Sequence, residues 1–185
     1  LETQNNRIPR ALIVQDLSCL GRCSLTVALP MLESLGVQAV PLPTAVLSTH
    51  TGGFGHPAAV DLTAFMQEAI FHYRSLDLRF DAVVTGYMAS IQQADIARGL
   101  LAWQSQALQV VDPAMADPGR LYQGLPTDLP GRLRAPCEAA DLTVPHWTPT
   151  SPPAGPITRY NGPPREPVEG HTAGQGRPPT VAAAH

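Results

Sequence analysis

The sequence predicts an α/β chain built around a mostly parallel sheet, and three observations carry that prediction. Up to about Asp141, short apolar runs alternate with segments whose apolar residues recur at helical spacing. Each apolar run ends in polar or small residues, as a buried strand does on reaching the carboxyl edge of a sheet. The 185 residues are 44% hydrophobic and carry a net charge of -3, which suits one domain with a sizeable core.

The elements follow in order. "ALIVQDLS" (Ala11–Ser18) is a short apolar run ending in polar residues, and reads as a buried strand. "SLTVALPMLESLG" has helical spacing with Gly36 as its stop, although Pro30 argues against an undistorted helix. "VQAVPLP" is a second strand, which its prolines should keep short or near an edge. "DLTAFMQEAIFHYRSL" (Asp61–Leu76) is an amphipathic helix with Asp61 as its cap. "FDAVVTGYM" (Phe80–Met88) is a strand breaking at Gly86, "SIQQADIARGLLAWQSQ" a helix, and "LQVVDP" (Leu108–Pro113) a strand stopped by proline. "ADLTVP" (Ala140–Pro145) reads as one more strand.

Strand and helix in this rhythm mean βαβ units with both faces of the sheet covered. The strands would then deliver Asp16 with Ser18, Thr49–Thr51, Thr85 with Tyr87, and Asp112 to one rim. Ligands of such sheets gather there, so the spacing predicts a small-molecule crevice. From Pro145 onward the composition turns rich in proline, without helical or alternating pattern. The chain thus divides into a folded part, 1–145, and a disordered or loosely attached tail, 146–185.

Several function classes fall away. The charge of -3 offers nothing to nucleic acid or an anionic membrane, and no run of 18 apolar residues occurs. No secretory signal is visible, so Cys19, Cys23 and Cys137 are expected as reduced thiols of a cytoplasmic protein. Cys19 and Cys23 lack further ligands at metal-binding spacing and read as packing residues. All 12 basic residues are Arg, which excludes lysine chemistry and the GxxxxGK[ST] phosphate loop. "TGGFG" is not a dinucleotide fingerprint, no G-x-S-x-G elbow occurs, and His50 reads as a loop residue. In "VVDPAMADPGRLY", Asp112 ends a strand and Asp117 lies in the loop that follows, a place where Mg²⁺, which favours one or two carboxylates, could sit.

Taken together, "QDLSCLGRCSLTVALP", "PLPTAVLSTHTGGF", "FDAVVTGYM" and "VVDPAMADPGRLY" resemble, in order and spacing, the pyridoxal/pyridoxamine kinases of the ribokinase superfamily. The likeness runs over roughly Arg10–Pro145, and "PTAVLSTHTGGF" is its most specific piece. It implies a three-layer α/β/α fold, of which this chain holds the N-terminal part. It also implies ATP-dependent phosphorylation of the 5′-hydroxymethyl of a B6 vitamer (pyridoxal, pyridoxamine or pyridoxine), with ATP and Mg²⁺ as cofactors and a homodimer as the assembly. By that likeness Ser18 hydrogen-bonds the pyridine ring, Thr51 and Gly52 line the substrate pocket, and Tyr87 sits beside the ring. Asp112 and Asp117 lie near the Mg²⁺ and the ATP phosphates, with Tyr122 in the loop near the nucleotide.

The chain departs from that family's pattern at several places. Ala114 and Ala116 stand in a "DPVMGD"-like segment, and "PHWTP" puts His146 and Pro149 where the family has Asn and Glu. The "GTGD"-like helix start with its general-base Asp is missing, and no Asp follows Asp141. The expectation is a C-terminally truncated or frameshifted kinase that keeps the substrate side, lacks the catalytic base, and has weak or no activity. The alternatives are a sister kinase for a hydroxymethylpyrimidine or a sugar, a non-catalytic pyridoxal-binding module, and an unstable pseudogene product.

Overall fold

The computed structural model describes residues 7–116, 121–122, 124–144 and 159–160. β1 (Arg10–Leu20) leads through α1 (Leu25–Ser34) to β2 (Gln38–Thr49) and β3 (Ala59–Asp61). Next come α2 (Thr63–Ser75), β4 (Ala82–Thr85), α3 (Ile91–Trp103) and β5 (Leu108–Val111). α4 (Leu129–Ala139), β6 (Leu142–Thr143) and β7 (Arg159–Tyr160) complete the order. The strands form one sheet in the order β3-β2-β1-β4-β5-β6-β7, with β3 and β7 antiparallel to their neighbours and the other pairings parallel.

The pleat of β1 divides its side chains between two cores. Leu12 and Val14 meet α2, α3 and α4 through Met66, Ile70, Ala97, Leu100, Leu129 and Leu133. Ala11 and Ile13 meet α1 through Leu25, Ala28, Leu29 and Leu32. Helices therefore lie on both faces, as the α/β/α expectation requires. Leu12, Ile13, Val14, Leu42, Met66 and Val83 are each fully buried, and each such side chain contributes about 1.5–3 kcal/mol of burial free energy.

Helix ends follow local chemistry. α1 closes with the Gly36 N–H donating to Glu33 O and the Val37 N–H to Leu32 O, a Schellman arrangement whose positive φ of 77° suits glycine. Pro30 is accommodated inside α1 without breaking it. α2 closes the same way, but Asp77 takes the left-handed position with φ 47°. Asp61 ends β3 rather than capping α2 directly, and its Oδ1 accepts the Thr63 N–H at 2.8 Å.

β2 is longer than its prolines suggested. The Gln38 N–H donates to Pro9 O, toward β1, while the Ala39 N–H turns away to Glu33 Oε1. Alternation then aims positions 41 and 43 away from β1, where β3 pairs only with Ala45–Leu47. The missing N–H groups of Pro41 and Pro43 thus cost no ladder bond. β3 and α4 are additions to the expected elements. Of the proline-rich tail, Arg159–Tyr160 pairs with β6, and the rest of 146–185 lies outside the described residues.

Candidate functional site

A cavity of about 600 Å³ opens at the carboxyl end of the parallel strands, and side chains from every strand end expected at the rim reach it. β1 contributes Gln15, Asp16 and Ser18, and the turn into α1 adds Arg22, Cys23 and Ser24. The end of β2 supplies Leu47, His50, Thr51 and Gly52, and the chain after β4 supplies Gly86 and Tyr87. Asp112 and Ala114 follow β5, and Tyr122 completes that side. Ser18, Thr51, Gly52, Tyr87, Asp112 and Tyr122 therefore share one cavity wall, while Asp117 lies outside the described residues. Thr49 and Thr85, expected at the same rim, do not line it.

The floor is polar and buried. Asp16 is 4% exposed and Ser18 fully buried, with Ser18 Oγ donating to Asp16 Oδ2 at 2.7 Å. The β1–β2 register shifts between Gln15 and Leu17, beside Thr44. The Thr44 carbonyl accepts the Leu62 N–H and Gln93 Nε2, and its hydroxyl donates to the Tyr87 carbonyl at 3.0 Å. Gln93, fully buried, also donates to Asp61 Oδ2 and Thr63 Oγ1 and accepts the Ala89 N–H at 2.8 Å. One amide thus ties β2, β3, α2 and the segment bearing Tyr87 together.

Two aromatic rings flank the opening, with Tyr87 and Tyr122 centroids 6.3 Å apart. Burial first, then the carboxylates of Asp16 and Asp61, push the Tyr87 phenol above its ordinary pKa, so it stays a neutral hydroxyl at physiological pH. The loop after β2 is latched by His50. Its Nδ1 accepts the Gly52 N–H at 3.1 Å, and its ring meets Phe54 edge-on at 4.8 Å. Gly21, at φ 108°, admits that ring: a Cβ there would stand 2.2 Å from His50 Cδ2. His50 is therefore a loop residue, as expected.

The cysteines depart from expectation. Cys19 is exposed and Cys23 lines the cavity, so neither is a core packing residue. Cys137 does pack against the core, and burial, aided by Asp112 and Glu138, pushes its thiol to about 11. No group of three or more His, Cys, Asp or Glu side chains able to hold a metal occurs among the described residues. No helix among them is long and apolar enough to cross a membrane. Sequence reasoning placed Asp16 at the rim without giving it a role, and passed over Gln15 and Arg22. The polar step "QD" inside the otherwise apolar β1 was the available signal.

Sheet order, helices on both faces and a cavity at the carboxyl rim define a ribokinase-like α/β/α fold, the class shared by the solved structures it matches. Within that class the relatives are pyridoxal and phosphomethylpyrimidine kinases. A Bacteroides thetaiotaomicron protein provisionally named a phosphomethylpyrimidine kinase, solved in a form with pyridoxal, is 39% identical. It superposes with a TM-score of 0.70 over 74% of this chain and 48% of its own. The pyridoxal kinase of Lactobacillus plantarum is 37% identical, with a TM-score of 0.70 over 75% of this chain and 50% of its own. A Schizosaccharomyces pombe protein provisionally named a pyridoxal kinase is 27% identical over 125 residues, 63% of this chain and 40% of that one. The chain thus spans half or less of the length of these relatives. No family model matches it.

Proposed function

We propose that this chain carries the substrate-binding half of a B6-vitamer kinase, and that the whole protein transfers a phosphoryl group from ATP to the 5′-hydroxymethyl of pyridoxal, pyridoxamine or pyridoxine. The observation that carries this reading is the single cavity uniting Ser18, Thr51, Gly52, Tyr87, Asp112 and Tyr122 in a chain 37% identical to a pyridoxal kinase. In it, Tyr87 and Tyr122 flank a flat ring, the small Thr51–Gly52 segment lets backbone approach it, and Ser18 and Asp16 meet its polar edge.

The donor set fits Mg²⁺. Asp112 presents a carboxylate at the end of β5, and Mg²⁺ is held by one or two carboxylates together with phosphate oxygens and water. Asp112, with Asp117, would hold the ion, whose charge offsets that of the transferring phosphoryl group. Phosphoryl transfer asks mainly for positioning and water exclusion, which the His50-latched loop supplies on the substrate side. A cytoplasmic homodimer belongs to the same reading.

Calorimetric titration of the purified chain with pyridoxal, pyridoxamine and pyridoxine tests it. Saturable binding is expected, and no binding of any vitamer would overturn the proposal. A hydroxymethylpyrimidine is the second candidate, favoured by the name of the Bacteroides relative. Preferential binding of that compound in the same titration would select it.

A further inference from the structure

The cavity is lined by buried acceptors that have no cationic partner among the described residues. Asp16 is 4% exposed, its only hydrogen bond among the described residues comes from the neutral Ser18 hydroxyl, and no described Arg or His lies within ion-pair distance. Beside it, Gln15 Oε1 is buried with no hydrogen-bond partner among the described residues. Gln15 cannot swing away freely, because the Gly86 backbone packs on it: a Cβ at Gly86 would stand 2.6 Å from Gln15 Cγ. Both residues line the cavity, and Arg22, which lines it too, is exposed at the mouth.

A buried carboxylate with one neutral donor is a costly arrangement. An orphaned amide oxygen next to it adds to that cost. Both costs are relieved by a ligand that brings N–H donors, and most strongly by a cationic one. Neither residue offers anything to an acceptor-only ligand edge, apart from the Gln15 amide N–H group.

We propose that Gln15 and Asp16 form an acceptor floor that selects ligands presenting a cationic ring N–H, the tautomer a 3-hydroxypyridine adopts when its phenolic proton moves to nitrogen. The proposal rests on the B6-vitamer reading of the site and assigns within it a specificity residue, Asp16, that recognises the ring by charge. The proton stays on the ligand nitrogen, and no bond is made or broken.

The test uses the whole 185-residue chain and three probes: pyridoxine, 2-methyl-3-hydroxypyridine and 2-methylphenol, each titrated by calorimetry and ligand-observed NMR. The pyridine is expected to bind roughly ten- to a hundredfold more tightly than the phenol, the span of one charge-assisted hydrogen bond. In Asp16→Asn, which keeps an oxygen for Ser18, that preference should collapse to within about threefold. Far-UV circular dichroism and thermal melting of the ligand-free variant accompany it. The variant should melt at or above the wild type, because a buried charge has been removed.

Equal binding of pyridine and phenol by the wild type would overturn the proposal, as would a preference that survives in Asp16→Asn. If the ring preference stands but pyridoxine binds no better than the stripped pyridine, the proposal holds and the B6-kinase reading fails. A chain that binds none of the three overturns both.

Discussion

Replacing Gln93 by Met removes a side chain that joins β2, β3, α2 and the Tyr87 segment while nearly conserving volume. The amide makes four hydrogen-bonding contacts: to Thr44 O at 2.9 Å, Thr63 Oγ1 at 3.0 Å, Asp61 Oδ2 at 3.1 Å, and from the Ala89 N–H at 2.8 Å. Two protons serve the three acceptors, so about three bonds are lost at once. Thr44 O keeps the Leu62 N–H and Asp61 keeps the Thr63 N–H, which softens the loss on those two. The Ala89 N–H loses its partner beside a fully buried side chain, and such an orphan costs about 1–3 kcal/mol. With roughly 0.5–1 kcal/mol for each remaining bond, the total is about 3 kcal/mol. At a urea m-value of about 2 kcal/mol/M, the unfolding midpoint falls by roughly 1.5 M. Urea titration followed by circular dichroism measures it. Gln93→Glu should be worse than Met at neutral pH, because it sets a second carboxylate against Asp61. A midpoint shift under about 0.4 M for Gln93→Met at unchanged m, or a Gln93→Glu variant as stable as wild type, would refute the reasoning.

Other perturbations test separate parts of the account. Gly21→Ala should both strain the left-handed backbone, at about 1–2 kcal/mol, and expel the His50 ring, so limited proteolysis within 50–55 should accelerate. Asp77→Gly should stabilise the chain by roughly 1 kcal/mol in the same urea assay, since glycine adopts the left-handed turn after α2 without penalty. Iodoacetamide at pH 8 should label exposed Cys19 first and spare Cys137, and pyridoxine should protect Cys23 in the cavity but not Cys19. Cys137 also predicts an alkaline trend. Its thiol is raised from 9.0 to about 11, so its stabilising contribution is whole below pH 9 and is lost as pH rises through about 11. A Cys137→Ala variant should lose that part of the decline.

Residues that fill the centre of the sheet were legible because a strand buried on both faces reads as an unbroken apolar run, as "ALIV" and "AVV" do. The elements at the margins were not. α4 buries only Leu129, Leu133 and Pro136 and contains two prolines, so its pattern is too thin to stand out. β3 is three exposed residues whose pairing with β2 supplies its definition, and its last residue, Asp61, doubles as a turn acceptor. In β2 the prolines predict a short or edge strand, yet the strand runs from Gln38 to Thr49 between β3 and β1, because the sequence cannot say which way each missing N–H would face. At the site, strand ends revealed which side chains share a rim. What stayed hidden was the distinction between a rim residue and a buried one, which depends on the register shift at Gln15–Leu17 and separates Asp16 from an ordinary polar strand terminus.

The central claim is that a flat, ring-bearing alcohol sits among the converging strand ends. An amide chemical-shift titration of the isotope-labelled 185-residue chain with pyridoxal tests it most directly. The account predicts saturable shifts at Ser18, Thr51, Gly52, Tyr87, Asp112 and Tyr122, with α2 and α4 unmoved. Shifts confined to other surfaces, or none at saturating pyridoxal, would contradict it.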